Sequence, residues 1–250
     1  MPLFKTEAIV LQRFNLTESS LIVTSFTRDF GKVKCVVKGA RKIKSRYGGR
    51  FEPFTCLNII YSGKEHQNLY ILNHCDTIRP FYNLREDYIR LTTGCYFTEI
   101  ISSFTREAEK NEELFHLFFR ALDILESTDN ISVLIRIFEM RTIALSGYSP
   151  KFDSCLICKN EPKSKYINFH FQSGGIICGK CLNSSSPGRR ITLGTLNYLK
   201  KVLTINFSSI DRLRFPKGQD KEIALLTQMY LKTIIGRECK SYKFIAKQEL

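Results

Sequence analysis

The chain contains no uninterrupted apolar stretch near the ~18–20 residues that a membrane-spanning helix requires. Its opening, Met1-Pro-Leu-Phe-Lys-Thr-Glu7, lacks the basic-then-apolar order of a secretory leader, so neither an integral membrane protein nor a secreted one is expected. Enzyme signatures are missing too. There is no Gly-x-x-x-x-Gly-Lys-Ser/Thr phosphate loop, no His-Glu-x-x-His, no Gly-x-Ser-x-Gly and no dinucleotide fingerprint. A metal-dependent nuclease needs clustered carboxylates beside its polyanion site. Here the most basic stretch, Arg28–Arg50, offers one acid, Asp29. These absences favour a binding protein over an enzyme.

What is present is positive charge, unevenly placed. The 250 residues carry 38 Lys+Arg against 24 Asp+Glu, a formal net of +14. Residues 1–80 contribute +7, residues 81–145 contribute −4, residues 146–190 +5 and residues 191–250 +6. Two basic ends around an acidic middle point to a polyanionic partner, and argue against a surface made evenly charged for solubility. With 43% hydrophobic residues the chain is globular, and its length allows one large domain or two to three small ones.

The first eighty residues read as five strands: Thr6–Phe14, Leu21–Thr27, Lys32–Lys38, Phe54–Tyr61 and Leu69–Asp76. Asp29-Phe30-Gly31 supplies the short turn of a hairpin. Five short strands without an intervening helix predict a small closed or nearly closed barrel, with an SH3-like arrangement a nearer alternative than a sandwich. Alternation along the third strand sets Val33, Cys35 and Val37 on a core face and Lys32, Lys34, Val36 and Lys38 on the other. That strand runs into a glycine-punctuated basic loop with Arg41, Lys42, Lys44 and Arg46. Together these seven cations form the candidate nucleic-acid site, tracking phosphates while Tyr47 or Phe51 stacks on bases.

From residue 81 the apolar period becomes helical. Amphipathic runs fall around 84–95, 114–125, 131–145, 193–203 and 223–234, predicting a helical bundle. Thr192 and Asp220 stand as caps, while Gly147 with Pro150, and Gly236, stand as stops. Arg85, Arg90 and Arg106, in the acidic middle segment, read as charges diluted by neighbouring carboxylates. Ser184-Ser185-Ser186 is the only low-complexity segment.

Nine cysteines without a secretion signal suggest a reducing compartment. Four of them form Cys155-Leu-Ile-Cys158 and Cys178-Gly-Lys-Cys181, two Cys-x-x-Cys pairs nineteen residues apart, within the range of a four-thiolate zinc site. Disulfides or redox dithiols are the alternatives. With all four positions taken by sulfur, the zinc is structural, and the alternating Lys165–Phe171 segment between the pairs suggests a zinc ribbon. The division expected is a barrel over 1–80, a helical domain over 81–150 and 186–250, and a metal module over 151–185.

The order of these features resembles the RecO family of bacterial DNA-repair and recombination mediators. The resemblance runs from Thr6-Glu-Ala-Ile-Val-Leu through Thr17-Glu-Ser-Ser20, Thr27-Arg-Asp-Phe-Gly-Lys-Val33, Lys38-Gly-Ala-Arg-Lys-Ile-Lys-Ser45 and Pro53-Phe54. It resumes at Arg136-Ile-Phe-Glu139, Ser146-Gly-Tyr148 and the cysteine pairs. It implies an N-terminal OB-fold and an α+β multidomain chain with the zinc module inserted between helices. It implies a cytoplasmic, nucleoid-associated, non-catalytic protein that binds single- and double-stranded DNA and anneals complementary strands. It also implies partnership with RecR, contact with the C-terminal tail of the single-stranded-DNA-binding protein, and help in loading RecA. That tail site is expected in the helical domain, with Arg136 as a contributor. The alternative from another class is an RNA-associated binding or modification factor using the same barrel and ribbon.

Overall fold

The computed structural model describes residues 1–64, 67–162, 166–182 and 188–246. Ser184-Ser185-Ser186, Lys165 and the junction expected at 185/186 lie outside the described residues. The chain divides into two compact units, Met1–Ser127 with Lys240–Leu250, and Thr128–Cys239.

The first unit opens with five strands: β1 (Leu3–Asn15), β2 (Leu21–Thr27), β3 (Gly31–Val37), β4 (Cys56–Ser62) and β5 (Tyr70–Arg79). They close into a barrel in the order β1-β2-β3-β5-β4, with β4 returning antiparallel to β1. The closing β3–β5 contact is parallel and short, pairing Cys35 with Tyr70 and Val36 with Ile71. This order is that of the five-stranded OB barrel and excludes an up-and-down meander. The period-2 pattern explains the closure: Val33, Cys35 and Val37 point inward to meet Ala8, Val10, Val23, Leu57 and Ile59 in one core.

Gly31 makes the β2–β3 turn possible. Its φ is +63°, and a Cβ added there would stand 2.5 Å from the Glu109 carbonyl oxygen. Gly31→Ala is therefore expected to destabilise the unit by about 1–3 kcal/mol, read as a lower urea midpoint with unchanged slope. A wild-type midpoint would show that the 106–109 backbone moves aside freely.

Among the described residues, four helices complete this unit: α1 (Asn83–Glu86), α2 (Tyr88–Phe104), α3 (Glu112–Leu125) and α7 (Tyr242–Ala246). Asp87 and Asn111 cap α2 and α3 by accepting from the N–H groups of Arg90 and Leu114. Glu112 and Glu113 sit in the first turn of α3, where the helix dipole favours anions. Arg28 lies 2.6 Å from Glu112, and its hydrogen bond holds that carboxyl down at about 2. The α7 helix is too short for periodicity to reveal. It is tied down by Glu99, which accepts from the Ser241 N–H at 2.9 Å and the Lys240 N–H at 3.0 Å.

The second unit holds α4 (Ile131–Ile143), β6 (Lys151–Cys155), β7 (Tyr166–His170), β8 (Gly175–Ile177), β9 (Arg189–Thr192), α5 (Leu193–Thr204) and α6 (Asp220–Ile235). Its strands form one sheet in the order β6-β8-β7-β9. The α4 helix ends in a single π-turn over Ala144–Tyr148, where Gly147 takes φ +89°. Thr192 caps α5 as expected, accepting from the Thr195 N–H. At α6 the capping position is Gln219, and Asp220 stands one residue later, in the first turn. The helices thus fall in two groups: α1–α3 and α7 belong with the barrel, and α4–α6 with the four-stranded sheet.

Candidate nucleic-acid interface and metal centre

The seven predicted cations separate into two environments. Lys38, Arg41, Lys42, Lys44 and Arg46 are all exposed on the loop that follows β3. Among the described residues, none of the five has a carboxylate within ion-pair distance. The loop is fastened by backbone contacts instead: the Arg41 N–H donates to the Ser19 carbonyl at 3.1 Å, and its guanidinium to the Thr17 carbonyl at 2.6 Å. Arg46 donates to the Tyr47 hydroxyl at 2.7 Å and lies 4.8 Å from the centre of that ring. Five exposed cations, of which Arg41 and Arg46 spend part of their guanidinium on neutral oxygens and none meets a carboxylate among the described residues, make a surface that attracts polyanions.

Lys32 and Lys34 stand apart from that cluster. The connection after α2 folds over the outer face of β3, with the Lys32 N–H donating to the Arg106 carbonyl at 3.1 Å. Lys32 Nζ donates to the Ser102 carbonyl at 2.8 Å, and burial lowers its pKa. Lys34 Nζ pairs with Glu107 at 2.6 Å. The expected lysine-covered face is thus partly roofed, and only its Lys38 end is open.

Tyr47 and Phe51 are placed differently from the expectation. They are 4% and 3% exposed and belong to the barrel core, so neither can stack on a base. Their rings close the barrel end because the loop turns back over it. The open apolar groups at this end are Phe14, Leu16 and Ile43, at 56%, 45% and 105% exposure. Phe14, next to Arg13 near the end of β1, is an exposed aromatic that sequence reasoning did not single out. An aromatic paired with a basic neighbour just before a turn was its available signal.

Arg85 and Arg90 are not solvated charges. Arg85 donates to the carbonyls of Pro80 at 2.8 Å and Pro53 at 2.5 Å and to the Thr55 hydroxyl at 2.9 Å, and burial lowers its pKa. Arg90 binds the Leu125 carbonyl. Arg90 satisfies a carbonyl that the C-terminus of α3 leaves open, and Arg85 ties together loop carbonyls before β4 and before α1.

Arg136, expected at a partner's tail, lies inside the second unit. Its side chain is 1% exposed and meets Glu139 at 3.0 Å, one helical turn away. It also donates to the Thr227 hydroxyl at 2.8 Å and the Ala224 carbonyl at 3.4 Å, while the Gln228 amide donates to Glu139. The expectation is corrected on this ground. A buried, hydrogen-bonded ion pair joins α4 to α6, and a peptide has no access to it.

The four cysteines converge. Cys155 ends β6, Cys178 follows β8, and each starts a tight turn: the Lys159 N–H donates to the Cys155 carbonyl at 3.0 Å and the Cys181 N–H to the Cys178 carbonyl at 3.0 Å. Parallel pairing of β6 with β8 brings the two turns side by side. All four Sγ atoms lie within 4.8 Å of one another, and Cys158 and Cys178 are 3.7 Å apart. That separation is far beyond a disulfide bond of ~2.05 Å. It agrees with the ~3.8 Å edge of a tetrahedron whose metal–sulfur bonds are ~2.3 Å.

Burial raises the Cys155 pKa, but the N–H groups of Cys178, Cys158 and Ile157 outweigh it and bring the thiol down to about 6. Cys181 is pushed up to about 12, first by its hydrogen bonds to Cys158 and Cys178. One thiol lowered and another raised is how crowded sulfurs behave before a cation neutralises them. The site can hold one metal ion. It is the only grouping of three or more potential metal-binding side chains among the described residues.

The chain is similar throughout to proteins of one kind. The families described as Recombination protein O N terminal and Recombination protein O C terminal match residues 1–81 and 85–243. A DNA repair protein RecO of Syntrophus aciditrophicus is 32% identical over 245 residues, covering 96% of this chain and 94% of its own. Another, from Caldanaerobacter subterraneus, is 30% identical over 249 residues, covering 99% of each. A third, from Thermodesulfovibrio yellowstonii, is 32% identical over 238 residues, covering 93% of this chain and 94% of its own. Two matched families that meet at the end of the barrel, and relatives aligned over nearly their whole length, leave one assignment: the chain belongs to the RecO family of DNA repair proteins.

Proposed function

We propose that this protein is a non-catalytic recombination mediator of the RecF pathway that binds single- and double-stranded DNA through the loop after β3. The observation that carries this reading is the cluster of five exposed cations at Lys38, Arg41, Lys42, Lys44 and Arg46, free of acidic partners among the described residues, on a barrel of a DNA-repair family. Lysines and arginines on a loop contact phosphates and carry no base information directly, so binding is tight and sequence-tolerant. Phe14 takes the stacking role first assigned to Tyr47. By neutralising phosphates on two complementary strands at once, the loop lowers their repulsion and promotes annealing. The same contacts keep a strand accessible while RecA loads.

Zinc is the metal proposed for Cys155, Cys158, Cys178 and Cys181. Thiolate donors at tetrahedral spacing suit it, and a shell complete in sulfur leaves no position for substrate. The three-part division of barrel, helical domain and metal module is retained as the functional division. RecR and the C-terminal tail of the single-stranded-DNA-binding protein are the proposed partners, with no part for Arg136. The proposed setting is the bacterial cytoplasm and nucleoid. No helix among the described residues is long and apolar enough to cross a membrane.

Annealing of complementary oligonucleotides coated with single-stranded-DNA-binding protein tests this reading. Acceleration by the wild type and none by a Lys38/Arg41/Lys42 charge-reversal variant is expected. Equal acceleration by both, or binding of RNA in clear preference to DNA of the same sequence, would overturn it.

A further inference from the structure

At the end of the barrel where β1 starts, β4 ends and β5 starts, four aromatic rings gather around a cavity of about 490 Å3. Phe4 stacks on Tyr61 with ring centres 5.2 Å apart. Tyr70 meets Tyr61 edge-on at 5.0 Å, and Phe30, from the β2–β3 turn, meets Phe4 edge-on at 5.4 Å. Tyr61 is 2% exposed and forms the floor, while Phe4, Phe30 and Tyr70 are half-buried walls. The volume falls inside the ~300–1,000 Å3 span of sites that take small organic groups.

One side is closed by the Lys34–Glu107 pair, whose side chains are 39% and 46% exposed. An ion pair this open to water is weak and exchanges readily. Lys38, the first residue after β3, is four residues or ~13 Å from Lys34 along the chain, so a strand tracking the basic loop reaches this cavity within a few nucleotides. Lys32 and Asp29 also line the cavity, but Lys32 is held by the Ser102 carbonyl and Asp29 by the Thr6 hydroxyl and Lys110. Aromatic walls with Lys34 as the displaceable cation suit a flat amphipathic ring tethered to an anion.

We propose that the cavity receives one unstacked nucleobase of the bound single strand, held against Tyr70 and Phe30, while Lys34 exchanges Glu107 for that nucleotide's phosphate. The inference rests on the DNA-binding reading of the loop, and it is separable from it. Loop contacts set how steeply affinity falls with salt, whereas stacking adds a salt-independent increment. It also gives Lys34 a DNA contact that its pairing with Glu107 otherwise hides.

The experiment compares fluorescent thymidine oligomers with fully abasic oligomers of the same length, titrated across a salt series. The proteins are the wild type, the Phe30→Leu/Tyr70→Leu double variant, which keeps apolar bulk, and Tyr70→Phe, which keeps the ring. The double variant is expected to bind the thymidine oligomer about tenfold more weakly, with wild-type affinity for the abasic oligomer and an unchanged salt slope. Tyr70→Phe should bind as the wild type does, and Glu107→Gln should strengthen binding of both oligomers. Thermal melting of each variant confirms that the barrel is intact. A double variant with the wild-type ratio of thymidine to abasic affinity overturns the proposal, as it would if the cavity serves a protein side chain instead. A wild type whose binding is flat against salt overturns the loop reading instead, so the two failures differ.

Discussion

Cys178→Ser is expected to abolish stoichiometric zinc binding and unfold the local module around the four cysteines. The reason lies in how little else holds the cysteine end of the sheet together, since the buried Ile167, Phe169 and Ile191 belong to β7 and β9. Its own core cluster consists of Cys155, Ile177 and Cys178, with Cys181 packed against them, so half of the metal shell is also the local hydrophobic core. The β8 strand is three residues long, and its pairing with β6 has an irregular register between Lys151 and Cys155. Free energies of zinc binding to isolated four-ligand modules are ~10–16 kcal/mol at neutral pH and are in effect folding free energies. Removing one thiolate forfeits much of that, and no other element of this size compensates. The measurements are metal content after anaerobic purification and hydrogen exchange across residues 151–182. Protein carrying far less than one zinc per chain in the wild type, or a variant with wild-type protection there, would show that the four sulfurs are not a structural metal site. Because the thiols must lose protons to bind, zinc affinity should fall as pH drops.

Charge reversal at Lys38, Arg41 and Lys42 is expected to remove most DNA binding, at a cost in stability limited to the tie from Arg41 to the Thr17 carbonyl. If the five open cations each neutralise one phosphate on a single strand, log K should change with log salt at a slope of about −0.7 × 5 = −3.5. Affinity should then fall about a hundredfold between ~50 and ~200 mM salt. Reversing three of the five leaves a slope near −1.4 and lowers affinity by about two to three powers of ten at ~50 mM salt. Arg85 and Arg90 are unsuitable controls, because their guanidiniums hold the backbone together. Arg120, at 56% side-chain exposure on α3, is the better one, and its reversal should leave binding near wild type. Equal losses from the triple variant and from Arg120→Glu would place the DNA on another surface. A preference of more than about a hundredfold for one sequence would contradict phosphate tracking.

Several elements were legible from residues alone. The alternation Val33-Lys34-Cys35-Val36-Val37 could only be a strand with one buried face, and β3 runs Gly31–Val37 with that face inward. Likewise Thr192, Gly147 and Gly236 act where short-range chemistry put them. Strand and helix periods and caps depend on neighbours a few residues away, so a single chain displays them. The Cys-x-x-Cys pairs were legible for the same reason, since each knuckle is a local turn.

Other features were decided by tertiary structure. Arg136 and an exposed helix arginine are indistinguishable in sequence. Only the packing of α6 against α4 brings Thr227 and Ala224 to its guanidinium and buries it. Tyr47 sits in a basic, glycine-rich segment, yet the loop's return over the barrel puts its ring in the core. Lys34 reads like Lys38, and what separates them is Glu107, seventy-three residues away along the chain. The sequence by itself determined the barrel strands, the longer helices, the buried face of β3, the four sulfurs and the basic loop, because these follow from local periodicity and charge. Which cations stay open to phosphate, which arginine becomes a buried tie and where four aromatic rings enclose a cavity depended on contacts between distant segments, and those exist only once the chain has closed on itself.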